Sequence, residues 1–597
     1  MEIWGSLTMA RLAALLNATV AAVVLGGLLI SLCILEPTGA DELPESGGTH
    51  RFPAWSYQMK VWPFDIIYPS TTNSEIEAGV QAAVDSGANT LIFYIEEEQM
   101  YRSFVNEAGF DHMLPKIAYL IELAHASGLR VICYLNALEV MAHNACHNPA
   151  TPTLARVHPD WLQIDIRGHR VFWTCIQNDW ITPDMEDAWA SPFTPFHALF
   201  RRRITQLAQQ GLDAVYMDQA ALPGMQDLGD VWASRDAGFA AAFKTAYGLD
   251  VPAKVDWTSK PWRKFVYFRH QVIRDYLGNL ADTAWNLGVI PFFEHSTLDT
   301  SDGTLLGDDP ALTMTYDVAF SPEIEPEGDY LSAFRMAKFA RDIRQDQPFL
   351  FLGWPTDLTQ ARKEFSITVA ESSNYYTTNN GPPFLEGFRF LDTIRSQILD
   401  NRAPYQEFAL IYSIRNKDFT FQTDEAFNSY TAAFNTLTSR HLPFRIIPLE
   451  TLTTASLAGI SAVALADDAA ISGREFDVLK NIPVVLNGRN GTRDEWYGLR
   501  PTPLKFPKVT SWPALKPKLG FTLSAPPRAC VEYYTDRSKP GHWYLFAFSP
   551  ATGGSIMLSS TESRAATVYE IGRAPRKLVG KMLNVPIRDF LEVIDLE

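Results

Sequence analysis

The chain has 597 residues, enough for two to four domains with sizeable cores, and 47% of them are hydrophobic, as in an ordinary globular protein. A formal net charge of −17 argues against a nucleic-acid or anionic-membrane ligand, so we predict no nucleic-acid partner. The same charge favours a neutral or cationic substrate over a phosphate-rich one.

The N-terminal segment contains a long apolar run. Residues 12–35 are almost wholly apolar, and Arg11 precedes them. That length predicts a helix spanning a bilayer, with Arg11 keeping the short N-terminus inside. Cleavage after Ala40 is the alternative and would release a secreted or periplasmic protein. We therefore predict that residues 1–40 are a signal anchor or signal peptide, and that the body of the protein lies outside the cytoplasm.

The cysteines are too few for a disulfide scaffold, because the chain has only five. Cys146 and Cys175 can pair in a loop region, which would leave Cys530 over. His143, Cys146 and His147 lie close together in sequence, but their spacing matches no established zinc motif. We predict neither a metal nor an organic cofactor.

Four stretches repeat one layout, in which a helix ends at a glycine and a short apolar run follows. The glycines are Gly87, Gly128, Gly211 and Gly288, each placed where a left-handed C-cap is needed. The runs after them ("ANTLIFYIEEE", "LRVICYLNALE", "LDAVYMDQ" and "VIPFFEHS") are typical of strands buried on both faces of a parallel sheet. Helices and strands that alternate in this way indicate successive right-handed βαβ units.

Four further stretches bring the predicted strands to eight. They are an early one near "YQMKVWPF" and three later ones, "LTMTYDVAF", "QPFLFLGWP" and "SSNYYTTNN". Residues 51–403 therefore have the size and pattern of an α/β fold of the (β/α)8 TIM-barrel type. A doubly wound open sheet is the competing prediction, but no GxGxxG motif follows the first strand.

The pattern restarts beyond Pro404. Strands and helices alternate again, which predicts a flavodoxin-like α/β domain over residues 404–500. A connector rich in Pro and Lys follows, and the short strands and turns of residues 515–597 predict a small C-terminal β-sandwich.

Carboxylates lie at the carboxyl ends of the predicted barrel strands. Side chains at these strand ends converge on one mouth of a barrel. Asp218 ends the fourth strand, Glu294 lies at the end of the fifth, and Glu323 lies in the loop after the sixth. Glycoside hydrolysis requires such a pair, one carboxylate at the anomeric carbon and a second carboxylic acid that protonates the departing oxygen. We predict Asp218 as the first of the two. The alternative is that Asp218 caps the next helix or braces a loop.

Two residues are candidates for the second carboxylate. Glu323 lies in the acidic loop "SPEIEPEGD", where a general acid can move with the substrate, although such a loop can also be merely solvated. Glu294 is held rigidly by its strand, and its alternative role is to pair with His295 and shape the pocket.

Other side chains near the strand ends are candidate sugar-binding residues, through hydrogen bonds or ring stacking. Each of them has an ordinary structural role as its alternative. They are Glu97, Asn136, His143, Trp173, Tyr216, His295, Trp354 and Asn374.

The stretch "VHPDWLQIDIRGHRVFWTC" (157–175), followed by "GLDAVYMDQ", resembles the hypothetical glycosyl hydrolases related in layout to β-galactosidases and α-L-fucosidases. In such proteins a His-Pro-Asp/Glu-Trp stretch and an Asp-x-x-Gly turn precede the fourth strand, which ends in Asp. His158, Asp160 and Trp161 match that stretch. The resemblance implies a (β/α)8 barrel followed by a trimerisation-like domain and a C-terminal domain, and thus a possible homo-oligomer.

Carried over to this chain, the resemblance makes Asp218 the nucleophile, as in the retaining α-L-fucosidases. The β-galactosidase relatives have an Asn-Glu pair at the fourth strand, whereas Asp218 and Gln219 stand here, so their mechanism does not transfer.

The sequence therefore predicts a glycoside hydrolase that acts on an extracellular or periplasmic oligo- or polysaccharide, with an Asp nucleophile and a Glu acid/base. The alternative is a non-catalytic carbohydrate-binding or scaffold protein on a degenerate barrel.

Overall fold

The computed structural model describes residues 50–64, 66–96, 101–176, 183–224, 231–324, 330–377, 383–550, 553–588 and 590–597. Within these ranges no helix combines the length and the apolar character needed to cross a membrane. This finding corrects the prediction of a transmembrane anchor. The apolar run at residues 12–35, on which that prediction was based, lies outside the described residues.

Eight parallel strands form one nearly closed barrel, as predicted. The sheet runs β10–β9–β8–β7–β3–β2–β1–β11, so it follows the chain once around and β11 pairs back with β1. The barrel strands, numbered along the whole chain, are β1 (Lys60–Pro63), β2 (Thr90–Tyr94), β3 (Arg130–Asn136), β7 (Ala214–Asp218), β8 (Ile290–His295), β9 (Ala319–Ile324), β10 (Leu352–Gly353) and β11 (Tyr375–Tyr376).

Helices cover the outside of the barrel and follow its strands. Gly87 (φ 80°) and Gly211 (φ 92°) adopt the left-handed conformation at helix ends, and Gly128 and Gly288 also have positive φ, as predicted. The helices of this region are α1 (Asn73–Ser86), α2 (Glu107–Ala126), α3 (Leu154–Val157), α4 (Pro195–Ala208), α5 (Ala237–Tyr247), α6 (Lys260–Asn286), α7 (Asp302–Leu306), α8 (Pro310–Thr313), α9 (Tyr330–Ile343), α10 (Leu358–Glu371) and α11 (Leu385–Ile394).

The remaining strands form three further sheets. A three-stranded antiparallel sheet contains β4 (Glu139–Ala142), β5 (Phe172–Thr174) and β6 (Glu186–Trp189). A five-stranded parallel sheet has the order β14–β13–β15–β16–β17 and contains β13 (Phe408–Tyr412), β14 (Phe444–Pro448), β15 (Ala462–Ala466), β16 (Val484–Asn487) and β17 (Val509–Thr510). Its helices are α12 (Ile414–Phe419), α13 (Glu425–Ser439) and α14 (Gly473–Leu479).

The last sheet has seven antiparallel strands in the order β12–β19–β20–β23–β21–β18, with β22 paired to β21. The flavodoxin-like and β-sandwich assignments, and the domain boundaries, remain predictions. The strands of this sheet are β12 (Arg402–Pro404), β18 (Thr522–Ser524), β19 (Cys530–Asp536), β20 (Trp543–Phe548), β21 (Ser555–Glu570), β22 (Arg576–Pro586) and β23 (Leu591–Leu596).

The barrel interior is filled by side chains from alternate positions of every strand, because successive residues of a strand point to opposite faces. The interior-facing residues form one buried cluster, separate from the larger core between strands and helices. Members of this cluster from the strands include Val61, Ile92, Ile132, Ala214, Tyr216, Ile290, Phe292, Ala319, Leu352 and Tyr376.

Asn374 closes the barrel at the amino-terminal ends of its strands. Its amide nitrogen donates to the carbonyl of Phe349 (3.0 Å), just before β10, and to that of Ser56 (2.8 Å). Its oxygen accepts from the backbone N–H of Met59 (2.7 Å), just before β1. Asn374 precedes β11 rather than following it, so this placement corrects the prediction that it lines the mouth.

The Asn374→Ala variant is expected to unfold at a lower urea concentration than the wild type. Three buried hydrogen bonds are lost, and at about 1 kcal/mol each the free energy of unfolding falls by about 3 kcal/mol. Tryptophan fluorescence during urea unfolding measures the change. Asn428→Ala, at an exposed position on α13, is the matched control and should leave the transition in place. Equal shifts in the two variants would contradict this role for Asn374.

Glu364 on α10 is a buried carboxyl packed directly behind Gly353 of β10, where a Cβ would collide with it. Burial raises the pKa of Glu364 to about 8. In the described part of the chain its Oε2 has no hydrogen-bond partner. The carboxyl is therefore protonated in the folded protein near neutral pH.

Glu364 makes stability depend on pH. The folded state holds a proton that the unfolded state releases near pH 4.5, so its stabilising contribution is complete below that pH and is lost as the pH rises through about 8. The loss is on the order of 5 kcal/mol at most. In Glu364→Gln, the free energy of unfolding should vary less between pH 4.5 and 8. The exposed Glu562→Gln control should keep the wild-type slope, and an unchanged slope in Glu364→Gln would refute the assignment.

Candidate active site

Three carboxylates lie at the carboxyl ends of neighbouring barrel strands. Asp218 is the last residue of β7, Glu294 is the last but one of β8, and Glu323 is the last but one of β9. Glu323 therefore belongs to a strand and not to the acidic loop in which the sequence placed it. Parallel strands end on one side of a barrel, so all three belong to its mouth.

Strand register sets the height of each group. Asn136 of β3 is the partner of Asp218 on β7, and Met217 is the partner of Phe293, so Asp218 and Glu294 lie level on adjacent strands. Neighbouring strands are about 4.8 Å apart. Glu294 pairs with Ser321, which places Glu323 two residues further toward solvent.

The same three side chains point into the barrel. Tyr216 and Phe292 belong to the interior cluster, so Asp218 and Glu294, two residues further along, face the interior as well. Ser321 also faces inward, because it accepts a hydrogen bond from the Tyr216 hydroxyl (2.8 Å), and Glu323 follows it by two. Asp218, Glu294 and Asn136 thus form one layer, and Glu323 lies above it.

Aromatic rings form the floor beneath these carboxylates. Tyr134 stacks on Tyr216 with a centroid distance of 5.2 Å, and Tyr94 contacts Tyr134 at 4.4 Å. Tyr216 in turn stacks on Phe292 at 6.4 Å. Tyr216 is fully buried within this floor, so it supports the site from below.

Asp218 is held by two donors. The hydroxyl of Tyr134 donates to its Oδ2, and the backbone N–H of Gln219 donates to its Oδ1 (2.5 Å). Only 6% of the residue is exposed. This arrangement fixes the carboxylate at the end of the strand with one face toward the mouth.

The pKa of Tyr216 responds to two of the carboxylates. Burial is the main cause that raises this pKa well above its ordinary value, and the negative charges of Asp218 and Glu323 raise it further. Both carboxylates therefore act on one phenol in the floor of the mouth.

Glu294 is the most deeply buried of the three carboxylates. The residue is 3% exposed, and in the described part of the chain its Oε1 accepts no hydrogen bond. Asn136 is 1% exposed, and its Oδ1 likewise has no donor among the described residues, although its Nδ2 donates to Glu139 (3.3 Å). Two buried acceptor oxygens thus belong to the same layer as Asp218.

Glu323 and Trp354 form a pair at the outer part of the mouth. The indole N–H of Trp354, which follows β10, donates to Oε1 of Glu323, and both residues are half-buried. The hydrogen bond orients this carboxylate while the residue keeps access to solvent.

His295 has protein partners at both ring nitrogens. Its Nδ1 contacts Asp308 (2.6 Å), and Thr313 contacts its Nε2 (3.0 Å). His295 lies on the outer face of β8, opposite to Glu294, because adjacent strand residues alternate. It holds the segment after β8 in place, whereas its predicted contact with substrate remains a prediction.

An excursion between β3 and α4 carries two further candidates, His143 and Trp173. It contains the β4–β6 sheet, and a Cys146–Cys175 disulfide connects its parts, which confirms that pairing. Trp173 lies on β5 and His143 directly follows β4, both partly buried. Glu97 lies outside the described residues.

The stretch that carried the family resemblance orders this excursion. His158 stacks on Trp161 with a centroid distance of 3.9 Å. Asp165 accepts from the backbone N–H groups of Arg167 (2.9 Å) and His169 (2.8 Å), and Gly168 has a φ of 94° in the turn between them. These residues shape the loop that adjoins the mouth.

Arg269 on α6 is an organising residue that the sequence did not reveal. Its fully buried guanidinium donates to backbone carbonyls in the segment after β7 and in α7. The only sequence signal is a basic residue inside an otherwise buried helical stretch. The carbonyl oxygens belong to Leu222, Ala233, Thr304 and Leu305.

No family model matches the chain, and no curated protein matches it in sequence. Among solved structures, it is similar to a polyextremophilic β-galactosidase from the Antarctic haloarchaeon Halorubrum lacusprofundi, with a TM-score of 0.59 at 12% identity over 89% of this chain and 98% of that one. An exo-β-1,4-mannosidase from Opitutaceae bacterium strain TAV5 has a TM-score of 0.39 at 11% identity over 72% and 76% of the two chains. The GH5_18 protein of Bifidobacterium longum has a TM-score of 0.41 at 11% identity over 68% and 95%.

The fold and the mouth define a (β/α)8 barrel protein with converging carboxylates. Its fold is shared with the haloarchaeal β-galactosidase over nearly the full length of both chains.

Removing the disulfide is expected to loosen the excursion beside the mouth. The cross-link joins cysteines 29 residues apart, and its loss should cost about 3–4 kcal/mol. A Cys146→Ser/Cys175→Ser variant should be cut faster by trypsin within residues 150–175, as mass spectrometry of the fragments would show. Dithiothreitol treatment of the wild type is the control and should reproduce the effect, because Cys133 and Cys530 are free and buried. Unchanged cleavage would contradict a stabilising role.

Proposed function

We propose that the protein is a retaining glycoside hydrolase that acts on an extracellular or periplasmic oligo- or polysaccharide. The observation that carries this proposal is that Asp218 and Glu323 both lie at inward-facing positions at the carboxyl ends of barrel strands, above the ring of Tyr216. The Cys146–Cys175 disulfide supports an oxidising compartment. The shared fold of the haloarchaeal β-galactosidase agrees with this reading.

Asp218 acts as the nucleophile. One of its carboxylate oxygens attacks the anomeric carbon of the bound sugar, and the bond from that carbon to the leaving oxygen breaks. Tyr134 and the backbone N–H of Gln219 hold the carboxylate in the orientation for attack. A covalent glycosyl-enzyme results, with the sugar linked through an ester to Asp218.

Glu323 acts as the acid and then as the base. It gives its proton to the departing oxygen in the first step, and in the second step it takes a proton from the water that releases the sugar from Asp218. Its half-buried position above the Asp218 layer suits a group that must contact both a leaving group and water. Trp354 orients it through the indole N–H.

The regions beyond the barrel complete the proposal. The five-stranded parallel sheet supports a flavodoxin-like domain, although its last strand, β17, lies beyond the predicted boundary at residue 500. The antiparallel sheet supports a C-terminal unit, to which β12 contributes from before residue 405. The resemblance to trimerisation-like domains suggests a homo-oligomer, which sedimentation of the full chain would test.

A screen of aryl glycosides tests the proposed function. Asp218→Asn is expected to lower kcat by about 10⁴-fold because the nucleophile is lost. Glu323→Gln is expected to lower kcat/KM by about 10²–10⁴-fold with poor leaving groups and far less with activated ones, whose departure needs no acid. Its kcat should fall with both kinds, because the base of the second step is lost. Added azide should restore turnover in Glu323→Gln, and NMR of the first product should show a retained anomeric configuration.

The matched control is Asp250→Asn, at an exposed aspartate that pairs with Lys244. It should keep wild-type activity. Wild-type turnover in Asp218→Asn would contradict the assignment of Asp218 as the nucleophile. A product with inverted anomeric configuration would show a single-displacement mechanism instead of a retaining one. Circular dichroism of each variant distinguishes lost chemistry from lost fold.

A further inference from the structure

The inner layer of the mouth is negatively charged, and among the described residues on β3 and β7 to β10 it has no basic side chain. By strand alternation the inward-facing positions at the carboxyl ends of β3, β7, β8, β9 and β10 are Asn136, Asp218, Glu294, Glu323 and Trp354. On β2 the corresponding residue is Glu96, whose charge is already paired with Arg102. A second feature is independent of this charge. Glu294 is more than nine-tenths buried, faces the mouth, and has an oxygen without a donor in the described chain.

The polar donors near Glu294 are directed elsewhere. Tyr134 donates to Asp218, the Trp354 indole donates to Glu323, and Tyr216 donates to Ser321. The sequence segments 97–100, 177–182, 225–230, 325–329 and 378–382 contain several acidic residues and neither Lys, Arg nor His. No basic side chain from these segments is therefore available to neutralise Glu294.

A buried carboxylate without a donor is unfavourable, and a donor or a counter-charge removes much of that cost. Two acceptors of one layer need such a donor, Oε1 of Glu294 and Oδ1 of Asn136. A sugar hydroxyl has a single hydrogen to donate, whereas an ammonium group has three and carries a positive charge. An ammonium group therefore matches both the number of acceptors and the charge of the mouth.

We infer that Glu294 and Asn136 bind the ammonium group of an unacetylated amino sugar, whose anomeric carbon faces Asp218. The substrate class is then a cationic glycoside rather than a neutral or N-acetylated one. This inference rests on the proposed function and deepens it. It makes Glu294 a specificity-determining residue and not the acid/base.

Calorimetric binding of monosaccharides and short oligomers tests the inference without any need for turnover. Glucosamine, galactosamine and their fully deacetylated oligomers are the cationic probes, and glucose, galactose and the N-acetylated counterparts are the neutral ones. The wild type should bind at least one cationic probe about tenfold more tightly than its neutral counterparts. The preference should disappear at a pH high enough to deprotonate the amine.

Glu294→Gln should abolish the preference for the amine and leave the Kd of the neutral probe nearly unchanged. Asn136→Ala should weaken the preference. Glu562→Gln, which removes an exposed carboxylate, is the matched control for general attraction to an acidic protein and should bind like the wild type. Equal Kd values for cationic and neutral probes, binding of none of them, or a preference retained in Glu294→Gln would each overturn the inference.

Turnover separates this inference from the proposed function. An amine preference without hydrolysis would leave the inference standing and refute the hydrolase. Hydrolysis of neutral glycosides with no amine preference would do the reverse. If Glu294 is instead the acid/base, Glu294→Gln loses turnover on every glycoside while the binding preference stays, and the inference fails.

Discussion

The stacked rings of Tyr134 and Tyr216 are the contact on which the site depends. Their centroids are 5.2 Å apart on adjacent strands, and each ring lies one interior position below a polar residue, Asn136 above Tyr134 and Asp218 above Tyr216. Because strand side chains alternate between faces, fixing these rings in the interior forces both polar groups into the mouth. A shift of β7 by one residue would turn Asp218 outward and Met217 inward.

The walls of the mouth are held by polar contacts that come from distant parts of the chain. Arg269 donates to carbonyls both in the segment after β7 and in the short helix α7, and the Cys146–Cys175 disulfide cross-links the segment between β3 and α4. Loops gain little stability from hydrophobic burial, so such links are what give them a defined shape. The carboxylates are positioned by strands and their surroundings by these links, which is the arrangement a rigid binding site requires.

Much of the barrel could be predicted from the sequence because the pattern that specifies each strand and helix lies within a short stretch of chain. Helix, glycine and apolar run recur with the same spacing, and the left-handed glycines and eight strands follow from that pattern. The two-residue strand β11 is too short for sequence to show which end Asn374 occupies. The residues after Ser321 are polar and contain proline, so the sequence predicted a loop where Glu323 in fact belongs to β9.

The sequence also could not show which face of a strand each side chain occupies. Glu294 and His295 are neighbours at the end of β8, and only the buried position of Phe292 decides that the carboxylate points inward and the imidazole outward. The partners of Arg269 lie 35 to 47 residues away along the chain. Local periodicity carries no signal for contacts of that kind.

The region after the barrel also takes part in positioning the mouth. Asp418 on α12 accepts hydrogen bonds from His270 of α6 (2.9 Å) and Thr304 of α7 (2.7 Å), and Lys417 donates to it (3.0 Å). These groups are buried, and the positive charge of Lys417, together with the contacts from His270 and Thr304, outweighs burial and lowers the pKa of Asp418.

A buried carboxylate of this kind needs its partners, because removing one leaves an uncompensated charge in a medium of low polarity. Thr304 belongs to the same short helix whose carbonyl binds Arg269, so α7 is held on one side by the barrel and on the other by α12. The loops around Asp218 therefore depend on charges supplied from both sides of the predicted boundary at residue 404. Barrel and following region have to fold together for the mouth to take its shape.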